Sequence, residues 1–546
     1  MLTVKITMIH DEYTNMRKFF SYGPLSKTQH YYVPRTQLIE FGINQLVGHP
    51  HEEGGHYITV WAPRQRGKSW IMQQVLWQLQ EDERFDVVKL SLQHLTDLAD
   101  INTVMNVIAE EMTQFLGYET IRVNDPRDFA RLFSKSVLQK PLILMLDEFD
   151  SLHPEAIGHV VRAFRNIYNL RRDSSLPTEQ KPYLLHSVAL IGVRAVLGVD
   201  TMSGSPFNVQ RSMHIPNLTY EEVDSMFHWY EQESGQTVEQ DVIDRLFHVL
   251  QGQPGLTGWF GELLTETYNK HHPTIAMNDF DLVYKTAIQA LPNANILNIV
   301  SKAKQDPYRE TVLSLFETDE KVPFKYDKPN IAYLYLNGVI DEEVDKENER
   351  HVKFPCQFVQ ERLFNYFSSM LYQSMNRLYD PFMDLVPYIT ETTLNIKGIL
   401  QLYEQYVHKN DDWLFREAPR RKTDFRIMEA TYHFNLFMYL SKFIRKRGGQ
   451  VIPEFPTGNG KVDLIIQHGG KIHAIEVKSF SDAYELKKGI GQAAEYGKQL
   501  GLTKIVLATF VENIPSDFRQ KHEVIETDEE TGVTVEVVFV NVIQPR

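Results

Sequence analysis

GNGKVDLIIQHGGKIHAIEVK, residues 458–478, is the stretch that decides the fold of the C-terminal part of the chain. It predicts two β-strands joined at Gly469-Gly470, because a pair of glycines suits a tight hairpin turn that needs positive φ angles. With these glycines as the turn, Asp463 lies directly opposite Glu476. Lys478 follows Glu476 by two residues, so both side chains project from one face of the strand.

Two carboxylates directly opposite each other on one face of a hairpin should repel. Their Cβ atoms lie about 4.5–5.5 Å apart, and at ~4 Å and an effective dielectric constant of 20 the repulsion is of order 4 kcal/mol. A divalent cation between Asp463 and Glu476 turns this cost into attraction, and oxygen ligands suit Mg²⁺ or Mn²⁺. With Lys478 beside it, such a metal suits phosphodiester hydrolysis, since the metal activates water and the lysine stabilises charge. The alternative is an exposed, charged hairpin face.

Two helices flanking the hairpin add further candidate residues. Gln492 and Tyr496 are four residues apart on a predicted helix, so they share a face. Upstream, Glu429 lies on a predicted helix over 425–447. It falls in line with the apolar residues Phe425, Tyr432, Leu436 and Leu440. A carboxylate on an apolar stripe needs a partner or a metal.

Taken in order, these motifs resemble the PD-(D/E)XK nuclease superfamily, including the QxxxY helix of its RecB-like branch. Val462 stands where the superfamily motif has proline. The resemblance covers 411–546 and implies an α/β nuclease domain that uses Mg²⁺ or Mn²⁺. The implied metal ligands are Glu429, Asp463 and Glu476. The implied catalytic residues are these three together with Lys478, Gln492 and Tyr496.

A second motif lies near the N-terminus, where an apolar strand over 57–61 runs into APRQRGKS and then an amphipathic helix. A strand, a loop ending in Gly-Lys-Ser and a helix form a phosphate cradle in which backbone N–H groups hold the anion. Lys68 would reach the β- and γ-phosphates and Ser69 would bind Mg²⁺, with Arg64 and Gly67 completing the candidate nucleotide-binding set. Ala62 replaces the first glycine of the usual pattern. The alternative is an ordinary basic loop that caps a helix.

An unbroken apolar run over 142–146 predicts a buried parallel strand that ends in Asp147-Glu148. Functional groups in open α/β sheets lie beyond the carboxyl ends of the strands, where these acids fall. Asp147 can hold Mg²⁺ through water, and Glu148 can orient or deprotonate the attacking water. Acids that merely terminate a strand are the alternative.

The order APRQRGK, LDEFD, a strand ending at Arg194, SPFNV (205–209) and GQP (252–254) resembles AAA-like ATPases of the STAND type. The resemblance spans about residues 30–270 and implies ATP as the ligand. It also implies that Arg194 is a sensor arginine and that Pro254 belongs to a lid near the nucleotide base. The segment YYVPR (31–35) packs near that base or is a surface linker.

We therefore expect a multidomain α/β protein. The predicted parts are a P-loop ATPase core with an N-terminal segment (1–215), a helical lid (216–300), a winged-helix-like module (301–375), a helical linker (376–410) and the PD-(D/E)XK domain (411–546). In the winged-helix-like module we expect helices over 308–316 and 328–338, an acidic turn over 341–349 and a strand over 351–354. Packing is favoured over DNA reading there, because the acidic turn would repel phosphates.

Composition narrows the class of protein. The 546 residues are 42% hydrophobic and 23% charged, as in folded domains, and no apolar run approaches the ~18 residues of a membrane span. With Cys356 as the single cysteine and no signal-peptide core at the N-terminus, we expect a cytoplasmic location. The net charge of −14 argues against a uniformly basic coat. Basic residues at Arg416, Arg420, Arg421, Lys422, Arg426 and 445–447 form either a solvated face or a groove for a nucleic-acid backbone.

The leading hypothesis is an ATPase coupled to a metal-dependent nuclease, with nucleic acid as the partner, DNA favoured, and no membrane. The alternative is a STAND-like regulatory switch in which nucleotide-dependent self-assembly or a regulatory protein releases a restrained nuclease, as in defence against invading DNA. A third hypothesis is a motor whose nuclease fold is inactive and serves binding; the intact Asp463, Glu476 and Lys478 count against it.

Overall fold

The computed structural model describes residues 16–49, 54–96, 98, 100–119, 121–173, 175, 177, 180–192, 210–316, 322–371, 388–410, 414–415, 418, 420–421, 425–427, 429–444, 447–454, 463–480, 482–512 and 514–543. Contacts within the chain divide it into two compact units. The N-terminal unit comprises Met1–Leu297 and Tyr326–Gly338, and the C-terminal unit comprises Asn298–Lys325 and Val339–Arg546.

The helices and strands alternate along much of the chain. The helices are α1 (Thr36–Val47), α2 (Lys68–Leu79), α3 (Ile101–Leu116), α4 (Pro126–Arg131), α5 (Pro154–Arg172), α6 (Tyr220–Ser234), α7 (Gln240–Leu250), α8 (Pro254–Glu262), α9 (Met277–Gln289), α10 (Ala294–Ala303), α11 (Tyr308–Leu315), α12 (Pro329–Leu336), α13 (Gln357–Leu371), α14 (Ile396–Lys409), α15 (Glu429–Ile444), α16 (Ala483–Gln499) and α17 (Ser516–His522). The strands are β1 (Tyr57–Trp61), β2 (Asp86–Ser91), β3 (Leu142–Asp147), β4 (Leu185–Gly192), β5 (Gln210–His214), β6 (Thr237–Val238), β7 (Thr274–Ile275), β8 (Asp341–Val344), β9 (Arg350–Lys353), β10 (Gln450–Glu454), β11 (Asp463–His468), β12 (Lys471–Ser479), β13 (Lys504–Val511), β14 (Ile525–Thr527) and β15 (Thr534–Asn541). No helix in the described part of the chain is long and apolar enough to cross a membrane.

The N-terminal unit is built on a parallel sheet whose described strands follow the order β2-β3-β4-β1-β5. From β1 the chain runs to the far edge at β2, returns through β3 and β4, and crosses β1 to form β5. Ligands of open parallel sheets bind beyond the carboxyl ends of the strands, where the strand order reverses. The loop after β1 opens at such a point.

Both faces of this sheet are covered, as the apolar run over 142–146 predicts. Ile143 and Met145 face a core shared with α1 and α2. The alternate residues Leu142, Leu144 and Leu146 face a second core shared with α3 and α5. All five are fully buried, and each such side chain contributes about 1.5–3 kcal/mol of hydrophobic stabilisation. The prediction of a buried parallel strand is therefore confirmed.

Helices α6–α9, together with the parallel pair β6–β7, follow the sheet as a helical layer. The described N-terminal segment, 16–35, packs on this layer. The ring of Phe19 lies 4.9 Å from that of Phe227 on α6. Lys18 Nζ lies 3.6 Å from a carboxylate oxygen of Glu266 just beyond α8. The N-terminal segment is thus held by the helices that follow the sheet.

The C-terminal unit contains a mixed sheet whose described strands follow the order β10-β11-β12-β13-β15-β14. Strand β11 pairs antiparallel with both β10 and β12, whereas β12, β13 and β15 run parallel and β14 pairs antiparallel with β15 at the edge. Helix α15 precedes the three antiparallel strands, and α16 connects β12 to the parallel strand β13.

The predicted Gly-Gly hairpin is confirmed. Gly469 and Gly470 have φ angles of 56° and 73°, in the left-handed region that glycine enters at no steric cost. The ladder pairs Leu464 with Ile475 and His468 with Lys471. Continued by one residue, this register sets the backbone of Asp463 opposite Glu476.

Helix α15 is shorter than the predicted 425–447, since it spans Glu429–Ile444. Placing Phe425 on the apolar stripe of this helix was therefore wrong. Its backbone is left-handed, with φ 58°, and its side chain is 74% exposed. The remaining stripe residues, Tyr432, Leu436 and Leu440, are buried as expected. Glu429 is consequently the first residue of the helix, where the helix dipole favours a carboxylate.

Aromatic packing fixes α15 against its neighbours. Phe434 lies 4.8 Å from Phe364 on α13, measured between ring centroids. On α14, the hydroxyl of Tyr403 donates a hydrogen bond of 2.6 Å to the side-chain oxygen of Asn435. The first turns of α15 are therefore held firmly beside the sheet.

The region predicted as a winged-helix-like module contributes to both units, since α12 groups with the N-terminal unit. Helices α11 and α12 and strand β9 lie close to their predicted positions. The acidic turn over 341–349 was wrong in its first part, because Asp341–Val344 forms β8 and pairs antiparallel with β9. Arg350 offsets part of its acidic charge by pairing with Glu342 at 2.5 Å, and the His351 ring lies 2.9 Å from Asp345.

Candidate functional site

The loop after β1 has the geometry of an anion cradle. Gly67, the N-cap of α2, has a left-handed backbone with φ 84°, so the chain turns sharply into the helix. Lys68 is the first residue of α2, and its ammonium group donates to the carbonyl oxygens of Ala62 at 2.9 Å and Pro63 at 3.1 Å. The ammonium thus lies over the loop at a helix N-terminus, where an anion is attracted both by N–H groups and by the helix dipole.

Lys68 lies in a buried, highly charged environment, with only 8% of its surface exposed. Burial lowers the pKa of its ammonium group, while the carboxylates of Glu148, Asp150 and Asp147 raise it. Arg64, exposed on the same loop, is close enough to lower the pKa values of both Lys68 and Glu148. The structure therefore brings the loop together with the acids that follow β3.

Asp147 and Ser69 offer oxygen ligands for a hard cation. Asp147 ends β3 and is buried, and the Ser69 hydroxyl donates to its Oδ1 at 3.3 Å. Lys89, on the neighbouring strand β2, lies 3.2 Å from Oδ2 of the same carboxylate. A hydroxyl and a carboxylate at this separation fit Mg²⁺, which takes few protein oxygens and keeps several waters. Sequence reasoning missed Lys89, although a lysine within the apolar strand DVVKLS was a signal.

Glu148 follows β3 in a left-handed conformation with φ 54°. Its pKa is raised by burial, and next by the carboxylates of Asp150 and Asp147, while Lys68 and Arg64 oppose the shift. A carboxylate with a raised pKa is a better proton acceptor near neutral pH. Asp150, which sequence reasoning also missed, fits beside β4 because Gly192 has no side chain: a Cβ atom there would lie 3.0 Å from the carboxylate carbon.

A half-open cleft adjoins the phosphate loop in the N-terminal unit. Its walls include Phe20, Tyr31, Tyr32, Gly67, Trp70 and Pro254. The rings of Tyr32 and Trp70 meet edge to face at 5.2 Å. Of the two alternatives for the YYVPR segment, this placement favours packing near a bound base.

The residue that follows the GQP motif contacts the phosphate loop directly. The backbone N–H of Gly255, next to Pro254, donates to the carbonyl oxygen of Gln65 at 3.1 Å. Gln65 itself has a left-handed backbone with φ 57°, and its amide reaches the carbonyl oxygen of Ser21 at 3.5 Å. One loop residue therefore touches both α8 and the N-terminal segment. Because these residues are distant in sequence, no local sequence pattern predicts their contact.

Gly255→Ala should destabilise the N-terminal unit, because a Cβ atom there would lie 2.5 Å from Oε1 and 2.6 Å from Cβ of Gln65. Forcing such an overlap costs about 1–3 kcal/mol, and thermal unfolding would measure it as a fall of several degrees. Gly158→Ala on α5 is the matched control, because its Cβ would meet only the flexible Arg162 side chain at 3.6 Å. It should gain about 0.5–1 kcal/mol. If Gly255→Ala melts no lower than Gly158→Ala, the contact with Gln65 is incorrect.

Two predicted nucleotide-site features lie outside the described residues: Arg194 and the SPFNV segment at 205–209.

In the C-terminal unit, Glu476 and Lys478 lie together as predicted from their spacing. Glu476 is only 2% exposed, and its Oε1 lies 3.9 Å from Lys478 Nζ. The structure describes the backbone of Asp463 in β11 but not its side chain. Among the described side chains, no group of three or more His, Cys, Asp or Glu is arranged to hold a metal. The three-carboxylate ligand set therefore stays a prediction that depends on Asp463.

Glu429 contacts the end of β12. Its Oε2 accepts a hydrogen bond of 2.6 Å from the backbone N–H of Ser479, and its Oε1 lies 4.0 Å from His433 Nε2. His433 is 1% exposed, and its Nε2 lies 3.2 Å from the carbonyl oxygen of Val477. Glu429 and His433, one helical turn apart, thus contact the backbone on both sides of Lys478. Sequence reasoning missed His433, although its i+4 spacing from Glu429 was a signal.

Helix α16 brings Gln492 and Tyr496 onto the sheet. Tyr496 is buried and Gln492 is partly exposed. Gly489, a turn earlier, lies beside β12, since a Cβ atom there would make an ordinary van der Waals contact with Lys478 Cγ at 3.6 Å. The helix that carries the QxxxY motif therefore packs over Lys478.

The predicted basic cluster is only partly described. Arg416, Lys422, Arg445 and Lys446 lie outside the described residues. Arg420 pairs with Glu512 at 3.0 Å, and Arg426 donates to the carbonyl oxygen of Phe480 at 2.9 Å. These two arginines already fix local structure.

None of the curated proteins matches the chain, whereas one family model and several solved structures do. Among solved structures, the Walker-type ATPase of Pyrococcus abyssi is 12% identical over 63% of this chain and 99% of its own, with a TM-score of 0.42. The Orc1 protein of Aeropyrum pernix in complex with DNA is 14% identical over 61% and 92%, with a TM-score of 0.33. Cdc6p of Pyrobaculum aerophilum is 12% identical over 61% and 94%, with a TM-score of 0.34. Residues 20–267 match the family model of the AAA-like domain, so this part of the chain is similar to AAA-like domains.

Proposed function

We propose that the chain binds and hydrolyses ATP in its N-terminal unit and cleaves DNA with a metal-dependent site in its C-terminal unit. The ATPase proposal is carried by one arrangement: Lys68 buried at a helix N-terminus beside the Ser69–Asp147 pair and Glu148. The matching AAA-like family model supports it. The aromatic cleft that adjoins Gly67 and Pro254 supplies a flat, apolar surface for the base.

Each residue of the ATP site has a separate role. The N-terminus of α2 and Lys68 bind the phosphates and neutralise charge that develops on them. Ser69 and Asp147 would hold Mg²⁺, which when bound supplies further neutralisation of phosphate charge. Lys89 keeps the Asp147 carboxylate in place through its 3.2 Å contact. Glu148 accepts a proton from the attacking water, and Arg64, exposed on the same loop, contributes a further positive charge for the phosphates.

ATP hydrolysis should lose activity as the pH falls through the raised pKa of Glu148, since only the ionised carboxylate accepts a proton. Asp150→Asn removes the second-largest cause of that shift, so the pKa of Glu148 should fall and the acid limb of kcat/KM should move to lower pH. Measuring kcat/KM of wild type and variant at the same pH values removes the contribution of ATP's own titration, since it is the same for both proteins. An acid limb that stays in place, or moves to higher pH, contradicts the assignment of Glu148 as the base.

The nuclease proposal is carried by the hairpin register together with the buried Glu476 beside Lys478. Asp463 and Glu476 would hold a divalent cation, which when bound supplies an activated water. Lys478 lies beside Glu476, where its ammonium stabilises hydroxide or the developing negative charge. Glu429 and His433 hold the strand that carries both groups.

The regulatory switch is a second candidate, and the contact between Gln65 and Gly255 favours it. A phosphate-loop residue that bonds to α8 and reaches the N-terminal segment can transmit the presence of nucleotide to the helical layer. Such a protein would hydrolyse ATP slowly and release the nuclease only after a trigger.

The test is to incubate the purified full chain with single-stranded, duplex and branched DNA and with RNA, in Mg²⁺ or Mn²⁺, with and without ATP, and to map the product ends. Metal-dependent cleavage that changes with ATP supports the coupled enzyme. ATP hydrolysis with no cleavage of any substrate in either metal would remove the nuclease.

A further inference from the structure

The two most exposed large hydrophobic side chains in the described part of the chain are both aromatic and both belong to the C-terminal unit. Tyr484 is 77% exposed and Phe425 is 74% exposed. Exposed apolar residues scattered singly over a surface need no explanation. The position of these two decides whether they have a role.

Phe425 directly precedes a segment that is tied to the candidate cleavage site. Its neighbour Arg426 donates to the carbonyl oxygen of Phe480 at 2.9 Å. Glu429, three residues further, accepts from the N–H of Ser479 at 2.6 Å. Both contacts fall on the two residues that follow Lys478, so Phe425 borders the end of β12.

Tyr484 borders the same end of β12, but it follows this strand in the sequence whereas Phe425 precedes it. It lies four residues after Phe480, in the first turn of α16, and its N–H donates to Asp482 Oδ1 at 2.9 Å. This cap fixes the start of the helix and leaves the ring in solvent. Lys487 and Lys488, also exposed, follow at spacings of three and four residues and so share the helical face of Tyr484.

Phe425 is held in its outward position by an unfavourable backbone conformation. Its φ angle of 58° is uncommon for a bulky residue. The conformation is fixed from both sides, since the N–H of Phe425 donates to the carbonyl oxygen of Arg421 at 3.0 Å and Arg420 donates to the carbonyl oxygen of Phe425 at 2.7 Å. Arg420 is anchored in turn by Glu512. Strained residues that the surroundings hold in place cluster at ligand sites.

We propose that Phe425 and Tyr484, the aromatic pair, form a stacking surface for the bases of a single-stranded nucleic acid whose backbone passes the Glu476–Lys478 site. Aromatic rings interleaved with cations are the usual means of binding single strands without sequence preference, because every base has a π-face. Bases within a duplex are stacked on each other and offer the rings no free face. The proposal rests on the proposed nuclease function and specifies the strandedness of its substrate.

The test measures binding without cleavage. A fluorescein-labelled oligodeoxythymidylate of roughly 20 nucleotides, longer than the ~4–16 nucleotides that one binding fold covers, is titrated with full chain in EDTA and followed by anisotropy. A labelled duplex of equal length is titrated in parallel. Tyr484→Ala and Phe425→Asn should each weaken single-strand binding about 5- to 100-fold and leave duplex binding unchanged. Asparagine tolerates the left-handed backbone, so the loop is preserved.

Two further variants complete the test. Phe425→Trp should bind single strands about as tightly as wild type, unlike Phe425→Asn, because an indole stacks as well as a phenyl ring. Ile525→Ala, at a residue that is 63% exposed on the edge strand β14, should bind like wild type. Wild-type affinity in Tyr484→Ala and Phe425→Asn, or an equal loss for single strand and duplex, would overturn the stacking surface. If the aromatic variants lose single-strand binding while no metal supports cleavage, the stacking surface stands and the nuclease function fails.

Discussion

Glu476→Gln should abolish metal-dependent cleavage of nucleic acid, with the rate falling by at least about 10²–10³-fold, as expected when a preorganised charged group is removed from an active site. Glu476 is 2% exposed, so glutamine fills the same volume and replaces only the charge. The variant loses one of the two carboxylates proposed to hold the metal and leaves Lys478 Nζ without the carboxylate oxygen 3.9 Å away. Cleavage of a labelled substrate in Mg²⁺ and in Mn²⁺ measures the effect.

Glu536→Gln is the matched control, since it removes a buried carboxylate from the same sheet. Glu536 is 8% exposed and pairs with Lys504 at 2.7 Å, on strands β15 and β13. This variant should melt at a lower temperature and still cleave at close to the wild-type rate. Equal cleavage by Glu476→Gln and wild type, or an equal loss in both variants, would show that Glu476 has no specific part in the chemistry.

The sequence allowed the hairpin of the C-terminal unit to be predicted because its geometry is local. Gly469 and Gly470 permit one kind of turn, and a turn with a defined register sets every facing pair on the two strands. The strand before Asp147 could be predicted for a similar reason, since an unbroken apolar run suits a sheet covered on both faces. In each case a few residues adjacent in sequence are enough to predict the structure.

Features that depend on distant residues could not be predicted in the same way. Phe425 fits the apolar period of α15, but Arg420 and Glu512 hold its backbone outside the helix. β8 is acidic and reads as a turn, yet its pairing with β9 and the adjacent Arg350 offset the charge. Tertiary contacts overrode local preference at both places.

The residues of the candidate sites also divide into those predicted from local sequence and those that depend on distant contacts. The loop residues Lys68 and Ser69 follow from a motif, whereas Lys89 reaches Asp147 only because β2 and β3 are neighbours in the sheet. His433 likewise gains a role from the approach of α15 to the end of β12. Motifs name the residues that do chemistry, and the fold supplies the residues that position them.

Glu148→Gln should stop ATP hydrolysis while nucleotide binding persists. Loss of a general base lowers the rate about 10²–10⁴-fold, and Lys68 and the start of α2 still hold the phosphates. Glu155→Gln is the control, because Glu155 is exposed in the first turn of α5. This variant should hydrolyse ATP at the wild-type rate. Steady-state hydrolysis and equilibrium binding of a fluorescent ATP analogue separate the two effects. A variant that hydrolyses ATP normally removes Glu148 as the base.

The same variant distinguishes the two proposed modes of coupling. Held with ATP bound and unable to turn over, it keeps whatever arrangement of Gln65 and Gly255 the nucleotide favours. If nucleic-acid cleavage then becomes constitutive in ATP, binding alone releases the nuclease and the chain is a switch. If cleavage is lost together with hydrolysis, each cut needs a turnover and the ATPase drives the nuclease. Cleavage that is identical with and without ATP would show that the two units act independently.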